Sequence, residues 1–271
     1  MNNINCKGNL VAEDNVLDLS AARRERRVSY PEVVIVDRVI PTGTKPPLVY
    51  ADDENAYILK FLNNDHGPEA TINEIVVSVI GEAIGAPVAP WSIVRVPEGL
   101  RQIIDNRLIE PGLAFGSKVL PTVGVHRMGS TIANVNRDGN INRIPQLIAL
   151  WHLCNALDIQ VVFDSSEDRK IYSVDHGFWF GSYPYPWGLD RRSGFPEIDE
   201  VPMLREPIAD ECWDRAIKGL DNLNDSLKDY IFATIPGEWN VARNDVEILV
   251  DFAISRKSST ISELRRYRRG R

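Results

Sequence analysis

Hydrophobic periodicity changes once along this chain, and the change restricts the folds open to it. Strand patterns dominate up to about residue 120, interrupted by one helix; helical patterns dominate the end. Residues 32–40 are rich in Val and Ile and read as a strand. Pro41-Thr42-Gly43-Thr44-Lys45-Pro46-Pro47 breaks it. Residues 48–51 and 56–62 read as two further strands across the polar turn Asp52-Asp53-Glu54-Asn55. Pro68 and Glu69 suit the first turn of a helix, in which Ile72, Ile75, Val76, Val79, Ile80 and Ala83 form one apolar stripe. Gly85 and Pro87 stop it. Residues 89–96 and 114–120 add two strands, giving a sheet of about five with one helix.

Beyond Pro121 the reading is an apolar helix over 145–157, then strands at 161–164 and 171–174 joined by Ser165-Ser166-Glu167-Asp168. Residues 184–202, rich in Pro, Gly and aromatics, read as an irregular loop, and helices follow over 208–220, 223–231 and 236–257. Strands first and helices second is the order of an α+β chain with two lobes. The expected division is a polar arm at 1–26, a sheet-bearing N-lobe at 27–120 and a mainly helical C-lobe at 121–271, with a ligand in the cleft between the lobes.

Composition narrows the function. The chain has 271 residues, 44% of them hydrophobic, which suits a globular protein. It contains no apolar run near the ~20 residues a membrane helix needs, and its first residues lack the pattern of a secretory signal. Cys6, Cys154 and Cys212 are scattered and form no Cys-x-x-Cys pair, which argues against a disulfide framework or a cysteine zinc site and for a cytoplasmic protein. The formal net charge of −7 argues against nucleic acid as a partner. Arg23, Arg24, Arg26 and Arg27, and the terminal Arg265, Arg266, Arg268, Arg269 and Arg271, read as solvated ends, with docking of an acidic partner as the other reading. The chain has no Walker phosphate loop, Gly-x-Gly-x-x-Gly, His-Glu-x-x-His or Gly-x-Ser-x-Gly, and its four histidines give little support to hydrolysis.

Two constellations carry the chemistry. Tyr57-Ile58-Leu59-Lys60-Phe61 places Lys60 inside an apolar strand, where a charge is costly unless paired. Lys60 is either an edge-strand lysine that reaches water or a phosphate-gripping lysine held by a glutamate of the next helix. Glu74 is the candidate partner, with Glu69 and Glu82 competing; Glu74 lies off the main apolar stripe, so a solvent-facing glutamate stays open. The second constellation runs from Asp158 through Ile159 and Gln160 to Tyr172-Ser173-Val174-Asp175-His176-Gly177. Phosphoryl transfer needs carboxylates that hold magnesium and one that orients the attacking hydroxyl. Asp175, just past a strand, suits the metal; Gln160 can add a carbonyl oxygen; Asp158 suits the hydroxyl. The plain alternative is a helix-end aspartate and an ordinary turn.

These segments, with Asn73-Glu74, Gly85-Ala86-Pro87-Val88-Ala89-Pro90, Phe115-Gly116-Ser117 and Ile235-Pro236-Gly237-Glu238-Trp239, resemble the HipA-like kinases, distant relatives of protein and phosphatidylinositol kinases. The resemblance runs from about Val33 to Arg256. It implies a two-lobed protein-kinase-like fold that binds ATP and Mg2+. Lys60 would contact the α- and β-phosphates and pair with Glu74, while Thr42, Gly43 and Thr44 would cover the phosphates. Asp175 and Gln160 would bind magnesium, Asp158 would be the catalytic aspartate, and Lys118, Val119 and Leu120 would lie by the adenine. This chain departs from better-known relatives in having Ile159-Gln160 after the aspartate, Asp175-His176-Gly177 for Asp-Phe-Gly, and a single glycine in the phosphate loop. The function expected is phosphoryl transfer to a Ser or Thr of a protein. The alternatives are a small-molecule or lipid kinase, a nucleotide-binding pseudokinase, and an interaction domain without nucleotide.

Overall fold

In the computed structural model the described residues are 29–127, 137–182, 187, 189 and 207–269. The elements of the first part are β1 (Val33–Val39), β2 (Pro47–Ala51), β3 (Ala56–Lys60), α1 (Pro68–Ile84), β4 (Trp91–Val96), β5 (Gln102–Ile104), β6 (Arg107–Ile109) and β7 (Gly112–Lys118). β1, β2, β3, β7 and β4 form one sheet in that order, antiparallel throughout. Alternation along β3 buries Tyr57 and Leu59 and leaves Ile58 and Lys60 half-buried on the opposite face. Tyr57, Leu59 and Phe61 join Val39, Val49, Val94 and Ile109 in a small core. The hairpin of β5 and β6 contributes to that core through Ile109 and Ile104. Its turn residues, Asp105 and Asn106, have left-handed φ of 48° and 61°, as a two-residue hairpin turn requires.

α1 starts at Pro68 with Glu69 in its first turn and ends at Gly85, whose φ of 75° suits glycine. Almost all of its sides are buried, because it lies against the sheet residues Ile93, Leu113 and Phe115 and against the helices of the second part. Gly81 permits that approach. A Cβ there would stand 2.5 Å from Val88 Cγ1 and 3.3 Å from Leu150 Cδ2.

The second part comprises β8 (Thr122–Arg127), α2 (Ile144–Leu153), β9 (Gln160–Asp164), β10 (Lys170–Val174), α3 (Asp210–Gly219), α4 (Ser226–Thr234), α5 (Arg243–Ser255) and α6 (Lys257–Arg269). All ten residues of α2 are buried, making it the axis around which the other helices pack. A small antiparallel sheet, ordered β10-β9-β8, adjoins it. The two parts are laced by backbone: Ser173 N donates to Pro87 O (2.8 Å) and Ala89 N to Ser173 O (3.1 Å). The fold is α+β, with an antiparallel-sheet N-lobe and a mainly helical C-lobe.

Several sequence expectations change. The helix expected over 236–257 is a 3-10 turn at Gly237–Trp239, a left-handed Asn240 (φ 55°), and then α5. The helix expected over 145–157 stops at Leu153, and Asn155 follows with φ 47°. The terminal arginines as far as Arg269 lie on α6, where Arg265, Arg266 and Arg269 are exposed to solvent as expected, while Arg268 is half-buried and pairs with Asp210 (2.8 Å) and Asp214 (2.7 Å) of α3, and Leu264 is buried. β5, β6 and β8 are additional strands. The polar arm at 1–26 with its arginines, Cys6, Arg271 and most of the 184–202 loop lie outside the described residues. No helix among the described residues is long and apolar enough to cross a membrane.

Gly219, the last residue of α3, tests the contact between α1 and α3. A Cβ at this position would meet Ile84 O at 2.3 Å, against backbone that cannot swing aside. Gly219→Ala gains up to about 1 kcal/mol of helix propensity, yet overpacking costs about 1–3 kcal/mol. The expected outcome is a net loss of stability, read as a lower urea midpoint with an unchanged m-value.

Candidate active site

Lys60 closes β3, which lies between β2 and β7, so it is not an edge-strand lysine. Its ammonium donates to Glu74 Oε1 and to Asp175 Oδ1, the latter at 2.5 Å. The Glu74 side chain is only 3% exposed, whereas that of Asp175 is 49% exposed. One lysine thus joins the central sheet, α1 and the segment after β10. Of the competing glutamates, Glu82 instead accepts from Trp91 Nε1 (2.9 Å). Burial alone would raise the Glu74 carboxyl; the charge of Lys60 and the nearby His176 outweigh it and hold the group at about 2. For Lys60 burial works downward, but the Glu74 and Asp175 carboxylates dominate and raise it.

Asp175 owes its position to a loop stitched onto α1. It adopts φ 59°, a left-handed conformation that Asp tolerates better than most residues. The Asn73 side chain, fully buried on α1, donates to Gly177 O (2.9 Å) and Trp179 O (3.0 Å) and accepts from Trp187 Nε1 (2.9 Å). A Cβ at Gly177 would stand 3.3 Å from Ala70 Cβ, so the loop passes flush against the helix. His176 is buried between the two parts. Its Nδ1 lies 3.3 Å from Glu74 Oε2, its Nε2 lies 3.1 Å from Ser173 Oγ, and its ring meets Trp179 edge-on at 4.6 Å.

Strand register delivers the remaining groups. Gln160 opens β9 and pairs with Val174 of β10, so its side chain stands beside Asp175. Gln160 Nε2 donates to Asp158 Oδ2 (3.0 Å) and to Asp175 Oδ2 (2.9 Å). Two carboxylate oxygens therefore converge on one point. A hard cation suits such a point, with the Gln160 amide turned over to offer its oxygen. Among the described residues there is no cluster of three or more His, Cys, Asp or Glu that could hold a metal ion unaided. Magnesium does not demand one, because it is commonly held by one or two carboxylates together with substrate phosphates.

These groups border a cavity of about 150 Å³ lined by Thr42, Gly43, Thr44, Lys60, Asp158 and Asp175, with His66, Arg107 and Phe178 among its other walls. Glu74 and Gln160 support it from behind. Lys118, Val119 and Leu120 do not line it. Lys118 pairs with Tyr57, Val119 N donates to Ala56 O (2.8 Å), and Leu120 packs against Ala89, Val162 and Tyr172 where the two parts meet. Sequence reasoning gave no role to Asn73, His66 or Arg107. For Arg107 a signal existed, since Gln102-Ile103-Ile104 and Arg107-Leu108-Ile109 flank a two-residue Asp-Asn turn.

The charge pair has a signed pH dependence. A carboxyl lowered on folding stabilises fully above its unfolded value of 4.5, and the contribution is lost as pH falls toward about 2. The raised Lys60 stabilises below its ordinary 10.5 and ceases to do so at higher pH. Removing one member of a buried pair costs about 3–5 kcal/mol; Asp175 remains beside Lys60, so Glu74→Gln should cost about 3 kcal/mol at pH 7. Urea unfolding at pH 7 and pH 3 checks this: the gap between wild type and variant should narrow at the lower pH.

Residues 33–138 match a family model described as HipA-like kinase. No curated protein matches the chain. Among solved structures, it is similar to the Helicobacter pylori proinflammatory kinase CtkA at 11% identity, over 88% of this chain and 95% of that one, with a TM-score of 0.49. It is also similar to the Golgi casein kinase, at 12% identity over 86% of this chain and 72% of that one with a TM-score of 0.47. For the Golgi casein kinase with Mn/ADP bound, the identity is 12%, the coverage 86% and 73%, and the TM-score 0.44. Lys60 and Glu74 both fall within the matched stretch, and the description of that family model is the one that the motifs resemble.

Proposed function

We propose that this chain is an ATP- and magnesium-dependent phosphotransferase whose acceptor is a Ser or Thr hydroxyl of a protein. The observation that carries the reading is the convergence of Lys60, Glu74, Asp175, Gln160 and Asp158, from five separate elements or loops, at one wall of a solvent-connected cavity. A lone structural ion pair requires neither the second carboxylate centre nor the cavity. At about 150 Å³ the cavity is smaller than the about 300–1,000 Å³ of sites for whole drug-sized ligands. It suits the phosphate end of a nucleotide, with the adenine toward Lys118, Val119 and Leu120.

In this reading Glu74 holds the Lys60 ammonium where the α- and β-phosphates come, and Thr42, Gly43 and Thr44 cover them. Magnesium, when bound through Asp175 and Gln160, supplies charge neutralisation to the phosphate oxygens. Asp158 accepts a hydrogen bond from the acceptor hydroxyl and orients its oxygen toward the γ-phosphorus. The new oxygen–phosphorus bond forms as the bond to the β–γ bridging oxygen breaks; the hydroxyl proton passes to Asp158 and ADP departs. Positioning and charge compensation supply the acceleration.

Calorimetry with ATP and magnesium on wild type, Lys60→Ala and Asp175→Ala tests the site. Wild type should bind in the micromolar range, and both variants should bind about tenfold or more weakly. Asp158→Asn should keep most of the affinity while losing transfer of radiolabel from γ-labelled ATP by about a hundredfold or more. No binding by folded wild type would reject the kinase reading. Label appearing on lipids or metabolites, and not on proteins, would reject the acceptor.

A further inference from the structure

The charges of the cavity do not balance for a polyphosphate if Lys60 is its only cation. Lys60 already faces Glu74 and Asp175, and Asp158 adds a third carboxylate nearby. Among the described residues the lining contains one other guanidinium or ammonium, that of Arg107.

Arg107 is the first residue of β6, paired with Ile104 across the hairpin turn. The hairpin is anchored by Ile109, which is fully buried in the core shared with Leu59 and Phe61. The arginine is therefore carried by a fixed element, on a different segment from Lys60. Its Nε is buried and has no hydrogen-bond partner, and among the described residues no carboxylate forms an ion pair with it. By contrast, Arg137, Arg143, Arg243, Arg266 and Arg268 all have acidic partners. A buried guanidinium N–H without an acceptor is costly, so a group that supplies acceptor oxygens would be favoured there. The planar fork of arginine matches phosphate oxygens in particular.

We infer that Arg107 binds the polyphosphate chain of the nucleotide and gives tri- and diphosphates their advantage over monophosphates. The inference rests on the nucleotide-binding reading of the same cavity and assigns to it a residue that the kinase motifs do not include. Lys60 and Arg107 grip the chain from different elements, Lys60 from the central sheet and Arg107 from the hairpin.

The test is calorimetric titration of wild type, Arg107→Ala and Arg107→Lys with ATP, ADP, AMP and inorganic tripolyphosphate, all with magnesium. Arg107→Gln, which keeps much of the side-chain stem, serves if the alanine variant does not fold. Arg107→Ala should weaken ATP and tripolyphosphate by about ten- to a hundredfold, the size of a charge-assisted hydrogen bond, and ADP by less. AMP should change by no more than about twofold, and Arg107→Lys should recover part of the loss. Unchanged ATP affinity in Arg107→Ala, with Lys60→Ala still defective, would overturn the inference and leave the nucleotide site standing. An equal loss for AMP and ATP would also overturn it, since that marks a merely structural hairpin. If wild type binds no nucleotide yet binds tripolyphosphate through Arg107, the anion site stands and the kinase reading falls. If it binds none of the four, both fall.

Discussion

The contact between the Lys60 ammonium and the carboxylates of Glu74 and Asp175 is the one from which the rest of the site is arranged. A lysine in the middle strand of a sheet cannot reach water as an edge lysine does, so it must find compensation inside. Glu74 supplies it, which requires α1 to present a polar position to the sheet in an otherwise apolar contact. Asp175 supplies a second charge, which requires the segment after β10 to come back to the same point. The arrangement of sheet, helix and hairpin follows from satisfying one cation from two directions.

α1 is the element that makes this possible. Ala70 gives the loop after β10 room to pass; Asn73 fixes its carbonyls; Glu74 holds the lysine; Gly81 brings α2 close. These residues point in different directions, which is why α1 is buried on almost every side and why a single apolar stripe underdescribes it. His176 takes part in the same arrangement. It stands between Glu74 and Ser173, so the carboxylate has a polar neighbour on the side that Lys60 does not occupy.

Much of this was legible in the sequence because it rests on local patterns. Alternation located β1, β2, β3, β4 and β7; the helical stripe and Gly85 bounded α1; the turn 165–168 marked the β9–β10 hairpin. An isolated lysine in an apolar strand announced that a partner must exist. What the pattern could not decide was which glutamate, since Glu69, Glu74 and Glu82 occupy different faces and only the packing of α1 selects among them. Asn73 was invisible as a clamp for the same reason: its acceptors lie over a hundred positions away. The break between the turn at Gly237–Trp239 and α5 was missed because Asn240 takes a left-handed φ that an apolar periodicity does not register. Arg107 belongs to a different class of omission. Its hairpin is readable, but two three-residue strands carry little periodicity, and nothing local in them shows that an arginine there borders a cavity.

Stability alone does not explain the buried charges. Replacing a buried ion pair by apolar residues of similar volume is often neutral or stabilising by about 1–4 kcal/mol. The strand could carry leucine at position 60, and α1 could carry leucine at 74, without offending the surrounding core of Ile, Val and Phe side chains. The pairing also leaves Asp175 about half exposed toward the cavity, where its interaction with Lys60 is open to solvent screening. A pair built for stability would close that side. The arrangement is better suited to a lysine that must be charged, immobile and accessible at once: Glu74, deep and strongly ionised, fixes the ammonium from behind, while the more exposed Asp175 can exchange its share of the contact for another ligand. The asymmetry between the two carboxylates, one 3% and the other 49% exposed, is the physical feature that distinguishes a site held ready from a core held together.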